Sequence, residues 1–178
     1  NYVTKSADTT KPVSFESINT VGSYGLFSSY NALGGKSGKL TYYAYYQRRV
    51  SDGYRTNANS DAQAQFASLR YDFSSKINLQ FEIGRSIYLF QSPGPLTDSM
   101  FYDDPRQATR SRNYFSPDIY VPSLTLNWQV GERTSLQWIV SGLFGARNSV
   151  EFEGFADKPD TIDAVTLEYK NRAVNIDH

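Results

Sequence analysis

The residues best suited to chemistry are arginines and aromatic rings gathered in one stretch. Arg106, Arg110 and Arg112 stand close together, with Tyr102, Tyr114 and Phe115 beside them. A guanidinium presents a planar fork of donors that matches a carboxylate, so such a group suits an anion bearing carboxylates. The rings would flank it. A plainer reading stays open, in which Asp103 and Asp104 pair with these arginines and merely order the loop. A second basic group, Arg48, Arg49, Tyr54 and Arg55, runs into another polar stretch. Solvation is the ordinary state of such side chains.

Other chemistries find little footing. His178 is the only histidine, and there is no cysteine, so neither a Ser-His-Asp set nor a thiolate nucleophile or metal site is expected. The carboxylate pairs Asp103–Asp104 and Glu151–Glu153 are not tied to a cleft, and Asp157, Asp160 and Asp163 lack the spacing of a calcium loop. No glycine-rich phosphate loop precedes a helix, and no helix is expected anywhere. Lysines and arginines balance the acids, 18 against 18, so no field draws the chain to nucleic acid. The expectation is a protein that is not an enzyme, with no cofactor and no resident metal.

What positions the arginines is a series of strands. Residues 77–83 place Ile77, Leu79, Phe81 and Ile83 at alternate positions, with Asn78, Gln80 and Glu82 between them. Leu124, Leu126, Trp128 and Val130 repeat the pattern, and Leu136 to Val140 follow it with one exception. Successive side chains of a strand point to opposite faces, so each segment has a greasy and a wet side. The wet side is rich in Ser, Thr, Asn, Gln and Tyr, and the apolar side ends in aromatics. That combination predicts a transmembrane antiparallel β-barrel with lipid outside and water inside. A negative mean hydropathy is compatible with this, because alternation hides the hydrophobicity. A soluble sandwich core is the competing reading. No apolar run approaches the roughly 20 residues of a membrane-spanning helix.

Strands are predicted at residues 13–23, 26–34, 39–50, 62–73, 77–90, 119–130 and 135–152, with an eighth within 164–177. Residues 91–117 are read as a long loop. Connections alternate between short and long, apart from the first, as in outer-membrane barrels with short periplasmic turns and long extracellular loops. Neither end resembles a natural terminus, which suggests a piece of a longer polypeptide.

Particular segments then carry a family likeness. Asn1-Tyr2-Val3-Thr4-Lys5 resembles the passage from plug to barrel in a TonB-dependent outer-membrane receptor. Val21-Gly22-Ser23-Tyr24-Gly25 is similar to the tip of its first barrel hairpin, and Ser51-Asp52-Gly53-Tyr54-Arg55 to an early extracellular loop. Gly94 to Phe101, Asp103 to Gln107 and Arg110 to Phe115 resemble the third extracellular loop of the ferric-dicitrate and siderophore branch.

The resemblance implies an all-β fold comprising about eight strands of a plugged barrel of about 22. Residues 1–12 would be the plug-to-barrel junction, and 13–178 the N-terminal part of the barrel, incomplete at both ends. It implies outer-membrane, TonB-dependent uptake of a ferric chelate in a Gram-negative bacterium, the iron arriving already chelated. Partners would be the chelate, a TonB-type energising complex acting through the plug, and outer-membrane lipid with lipopolysaccharide. Ligand contacts would fall on Arg106, Arg110, Arg112, Tyr114, Tyr54 and Arg55. Arg48, Arg49, Tyr54 and Arg55 could bind substrate, contact lipopolysaccharide phosphates or stay solvated, and Arg70, Asp72 and Glu82 would brace the wall against the plug or neighbouring strands. Import of a glycan or other nutrient, or a non-transport barrel or scaffold, remain the alternatives.

Overall fold

The structure, a computed structural model, describes residues 7–151. The strands are β1 Ser14–Val21, β2 Phe27–Ser37, β3 Leu40–Ser51, β4 Ser60–Asp72, β5 Ile77–Gln91, β6 Tyr114–Gln129, β7 Ser135–Ser141 and β8 Phe144–Val150. All are antiparallel and form one sheet in chain order, with β7 and β8 both pairing with β6. These two share one register on β6, since Ser123 faces Ser141 and Tyr120 faces Phe144. They act as one ribbon interrupted at Gly142-Leu143, which matches the single strand expected over 135–152. The strand expected within 164–177 lies outside the described residues, as do residues 1–6 of the expected junction. Residues 7–12 adjoin the sheet, with Lys36 N–H donating to Lys11 O (3.0 Å) and Tyr42 Oη to Pro12 O (2.8 Å).

Register joins the apolar positions into continuous rows. Leu69 faces Phe81, Phe81 faces Leu124, and Leu124 faces Val140. One rung nearer the turns, Tyr71, Leu79, Leu126 and Trp138 form a second row. Cross-strand neighbours of this kind are the unit of sheet stabilisation, and a one-residue slip would move the whole set to the other face. The opposite face carries a polar ladder, in which Asn127 Nδ2 donates to Asn78 Oδ1 and Gln137 Nε2 to Asn127 Oδ1, each at 2.9 Å. Higher on that face Tyr30, Tyr43, Tyr45 and Phe66 pack ring on ring, and the Tyr30 and Tyr43 hydroxyls meet at 2.6 Å.

The sheet is one layer thick. Among the described residues only Ala32 and Tyr43 are buried hydrophobics, whereas Phe81 is 43% and Trp138 62% exposed. A soluble domain buries its apolar face against a second layer. Among the described residues no second layer lies against it.

Connections 38–39, 73–76 and 130–134 lie at one end of the sheet, and 22–26, 52–59 and 92–113 at the other. Two features depart from the sequence reading. The long connection holds a short helix, α1 (Asp98–Asp103), which Thr97 caps by accepting at Oγ1 from Met100 N–H (3.3 Å), with Asp98 in its first turn. Six residues are too few for a helical period to register, so only the cap could have revealed it. Second, β6 starts at Tyr114 rather than Ile119. Pro117 cannot donate to a ladder, yet the β5–β6 pairing breaks around it, resuming at Phe90 opposite Phe115.

Candidate ligand site at the loop end

The three longer connections converge. Asp52 N–H donates to Tyr24 O and Thr56 N–H to Arg106 O, both at 2.8 Å, stitching the first hairpin, the 52–59 loop and the 92–113 loop together. Tyr24 and Tyr54 meet edge to face at 5.5 Å between ring centres. The Arg106 guanidinium carbon lies 5.9 Å from the centre of the Tyr24 ring and 5.4 Å from that of Tyr54. An arginine over aromatic rings is attracted by their negative faces and loses none of its hydrogen-bonding capacity. All three side chains are exposed. A ligand carboxylate would therefore meet a positioned fork.

The backbone is committed to this arrangement. Among the described residues, Tyr24 (φ 59°) and Asn57 (φ 54°) are the non-glycine residues with positive φ, and both lie in the loop cluster. Asparagine tolerates that region, whereas tyrosine adopts it at a cost of roughly 1–2 kcal/mol. Gly53 (φ 76°) and Gly94 (φ 75°) occupy it as well, and a Cβ at Gly94 would run into Thr109 Oγ1. Gly94→Ala is expected to destabilise the long loop by about 1–2 kcal/mol from the backbone alone. Faster cleavage of that loop in limited proteolysis of the assembled protein would register it.

Arg55, expected as a ligand contact, is engaged with the backbone of the long loop. Its Nε donates to Gln107 O (3.0 Å) and its Nη1 to Gly94 O (2.7 Å), so the fork grips the backbone of the long loop at two points. Asn57 adds a second grip through Nδ2, at 2.8 Å from Arg110 O and 3.2 Å from Ser92 O. Both side chains hold the loop carrying Arg106. Asn57 was not anticipated, because its contacts cross more than thirty positions and leave no local pattern.

The remaining expected residues divide. Arg110 is half-buried, donates from Nη1 to Thr109 O (2.9 Å) and packs where a Gly94 side chain would lie. Arg112 is exposed, and Tyr114 is half-buried at the foot of the loop opposite Gln91. Asp104 accepts at Oδ1 from the backbone N–H of Arg106 (2.8 Å), so it orders the loop through the main chain. Arg48 and Arg49 point to opposite faces. Arg48 lies on the apolar side, bound through Nε and Nη2 to both carboxylate oxygens of Asp61 (3.2 and 2.8 Å). Of the expected wall residues, Arg70 pairs with Asp72 (2.9 Å), which also meets Lys36 (3.5 Å), and Glu82 accepts from Gln80 (3.0 Å). No cluster of metal-ligating side chains occurs among the described residues. His178, Asp157, Asp160 and Asp163 lie outside them. Comparison with models of known families, with curated proteins and with solved structures found no match.

Proposed function

We propose that this chain is part of the transmembrane β-barrel of a TonB-dependent outer-membrane transporter, and that it serves uptake of a ferric chelate such as ferric citrate or a siderophore. The observation that carries the reading is the single-layer sheet, whose apolar rows from β4 to β7 meet no second protein layer among the described residues. Hydrocarbon is the natural cover for such a face, provided the backbone is paired, and an antiparallel ladder pairs it. Among the described residues no helix is long and apolar enough to cross a membrane. Strands would do the crossing. The β1 and β7–β8 edges would be closed by further strands, since unpaired edges in lipid leave backbone groups unsatisfied.

The resemblance of the 94–115 stretch to a ferric-dicitrate-type loop supports the substrate class. So does the exposed Arg106 held over two rings, because ferric citrate and carboxylate siderophores are anionic. Changing Arg106, Arg110 and Arg112 together to Ala is expected to reduce ferric citrate uptake about tenfold or more, with normal yield of assembled protein. Arg106→Ala alone should account for most of the loss, since Arg110 is partly engaged with its own loop. Unchanged uptake in the triple variant would leave the loop a purely structural role. Saturable binding of an uncharged oligosaccharide, with none of ferric citrate, would move the substrate to a glycan.

A further inference from the structure

The loopward arginines of the two faces are treated differently, whereas nearer the turn end Arg70 on the polar side pairs with Asp72 (2.9 Å). On the apolar side Arg48 is matched by Asp61, and Arg85 by Asp118 through paired contacts of 3.0 and 2.8 Å. On the polar side Arg49 and Arg147 are exposed and form no ion pair with a described residue. They belong to one loopward rung, which runs from Ser28 through Arg49 and Ala62 to Tyr88, and on past Pro117 to Arg147. Between the two arginines lie aromatic rings. Tyr88 packs on Phe90 (5.2 Å between centres) and Phe115 (5.8 Å), and the Arg147 guanidinium sits 5.7 Å from the centre of Phe115. The acidic side chains of the described strands on this face, Glu16, Glu82 and Asp72, all lie nearer the turn end. Glu151 follows the end of β8.

We infer that Arg49 and Arg147, with the rings of Tyr88, Phe90 and Phe115 between them, form a second anion-binding site on the polar face below the loop cluster. Its ligand is a polycarboxylate chelate that rests on the rings and meets one guanidinium at each side. This rests on the ferric-chelate reading and adds a station for the chelate after the loops. Four strand spacings separate the arginines, roughly 19 Å along the backbone, so the long side chains reach toward a ligand between them rather than toward each other. Two like charges with no ion-paired acid among the described residues raise the local concentration of an anion, and the effect falls with salt.

The test is a fluorescence titration of the full-length, detergent-purified protein with ferric citrate. The R49Q/R147Q variant is expected to bind about tenfold or more weakly, with a flatter dependence on sodium chloride. The R48Q/D61N variant, which removes a balanced pair from the other face, should stay within about twofold of wild type. R49K/R147K keeps the charge without the fork and should recover part of the loss. Wild-type binding that R49Q/R147Q leaves within twofold would overturn this site and spare the ferric-chelate reading. Absence of binding by the wild-type protein would remove both.

Discussion

Arginine at Phe81 or at Leu126 is expected to destabilise the assembled sheet by about 2–4 kcal/mol in a bilayer, the cost of a charge near the midplane of a barrel's lipid face. Phe81 faces Leu69 and Leu124, and Leu126 faces Leu79 and Trp138, so each lies inside an apolar row. The matching control is Ser123→Arg. Ser123 sits on the opposite face, one residue from Leu124, the cross-strand partner of Phe81, and faces Glu82 and Ser141, where a cation has water and acceptors. Denaturant titration of protein folded into lipid vesicles reads the difference. Equal tolerance of arginine at positions 81 and 123 would mean that the apolar rows do not face lipid, and the membrane reading would fall with them.

The second large effect is expected at Arg55. Removing its side chain leaves Gln107 O and Gly94 O without their donors and frees the loop that carries Arg106. Each lost charge-assisted hydrogen bond is worth about 1.5–3 kcal/mol where the acceptor stays shielded from water. Arg55→Ala should therefore open the loop to amide exchange and protease while leaving the strands protected. Chelate binding should weaken nearly as much as in Arg106→Ala. Arg55→Lys should restore little, because an ammonium cannot reach both carbonyls as a planar fork does. A variant with an ordered loop and weakened binding would instead make Arg55 a direct ligand contact.

The difference between Arg55 and Arg106 shows what the linear chain discloses. The strands were readable because alternation is a local signal, as in Ile77 to Ile83, where each residue reports its own face. The position of Arg106 was readable as a type of residue in a polar stretch, and Tyr54 likewise. That Tyr24, Tyr54 and Arg106 form one group was not, since it depends on three hairpins closing side by side. Nothing in the spacing of Arg55 separates a ligand contact from a side chain occupied by carbonyls. The second arginine pair follows the same rule. Arg49 and Arg147 become neighbours of the same aromatic group only through the register of β3 to β8.

The proposed barrel also orders its charges coherently. Loopward arginines on the apolar side, Arg48 and Arg85, are balanced by aspartates, which suits positions adjoining an apolar belt where an unpaired charge is costly. The unbalanced ones fall on the side that would be wet.

The most direct measurement of the central claim is accumulation of radiolabelled ferric citrate by Gram-negative cells that depend on the full-length protein for uptake. The account predicts saturable accumulation that collapses when the proton gradient is discharged, because the proposed transport would be energised from the inner membrane. Accumulation indifferent to the gradient, or none for any anionic iron chelate, would contradict it.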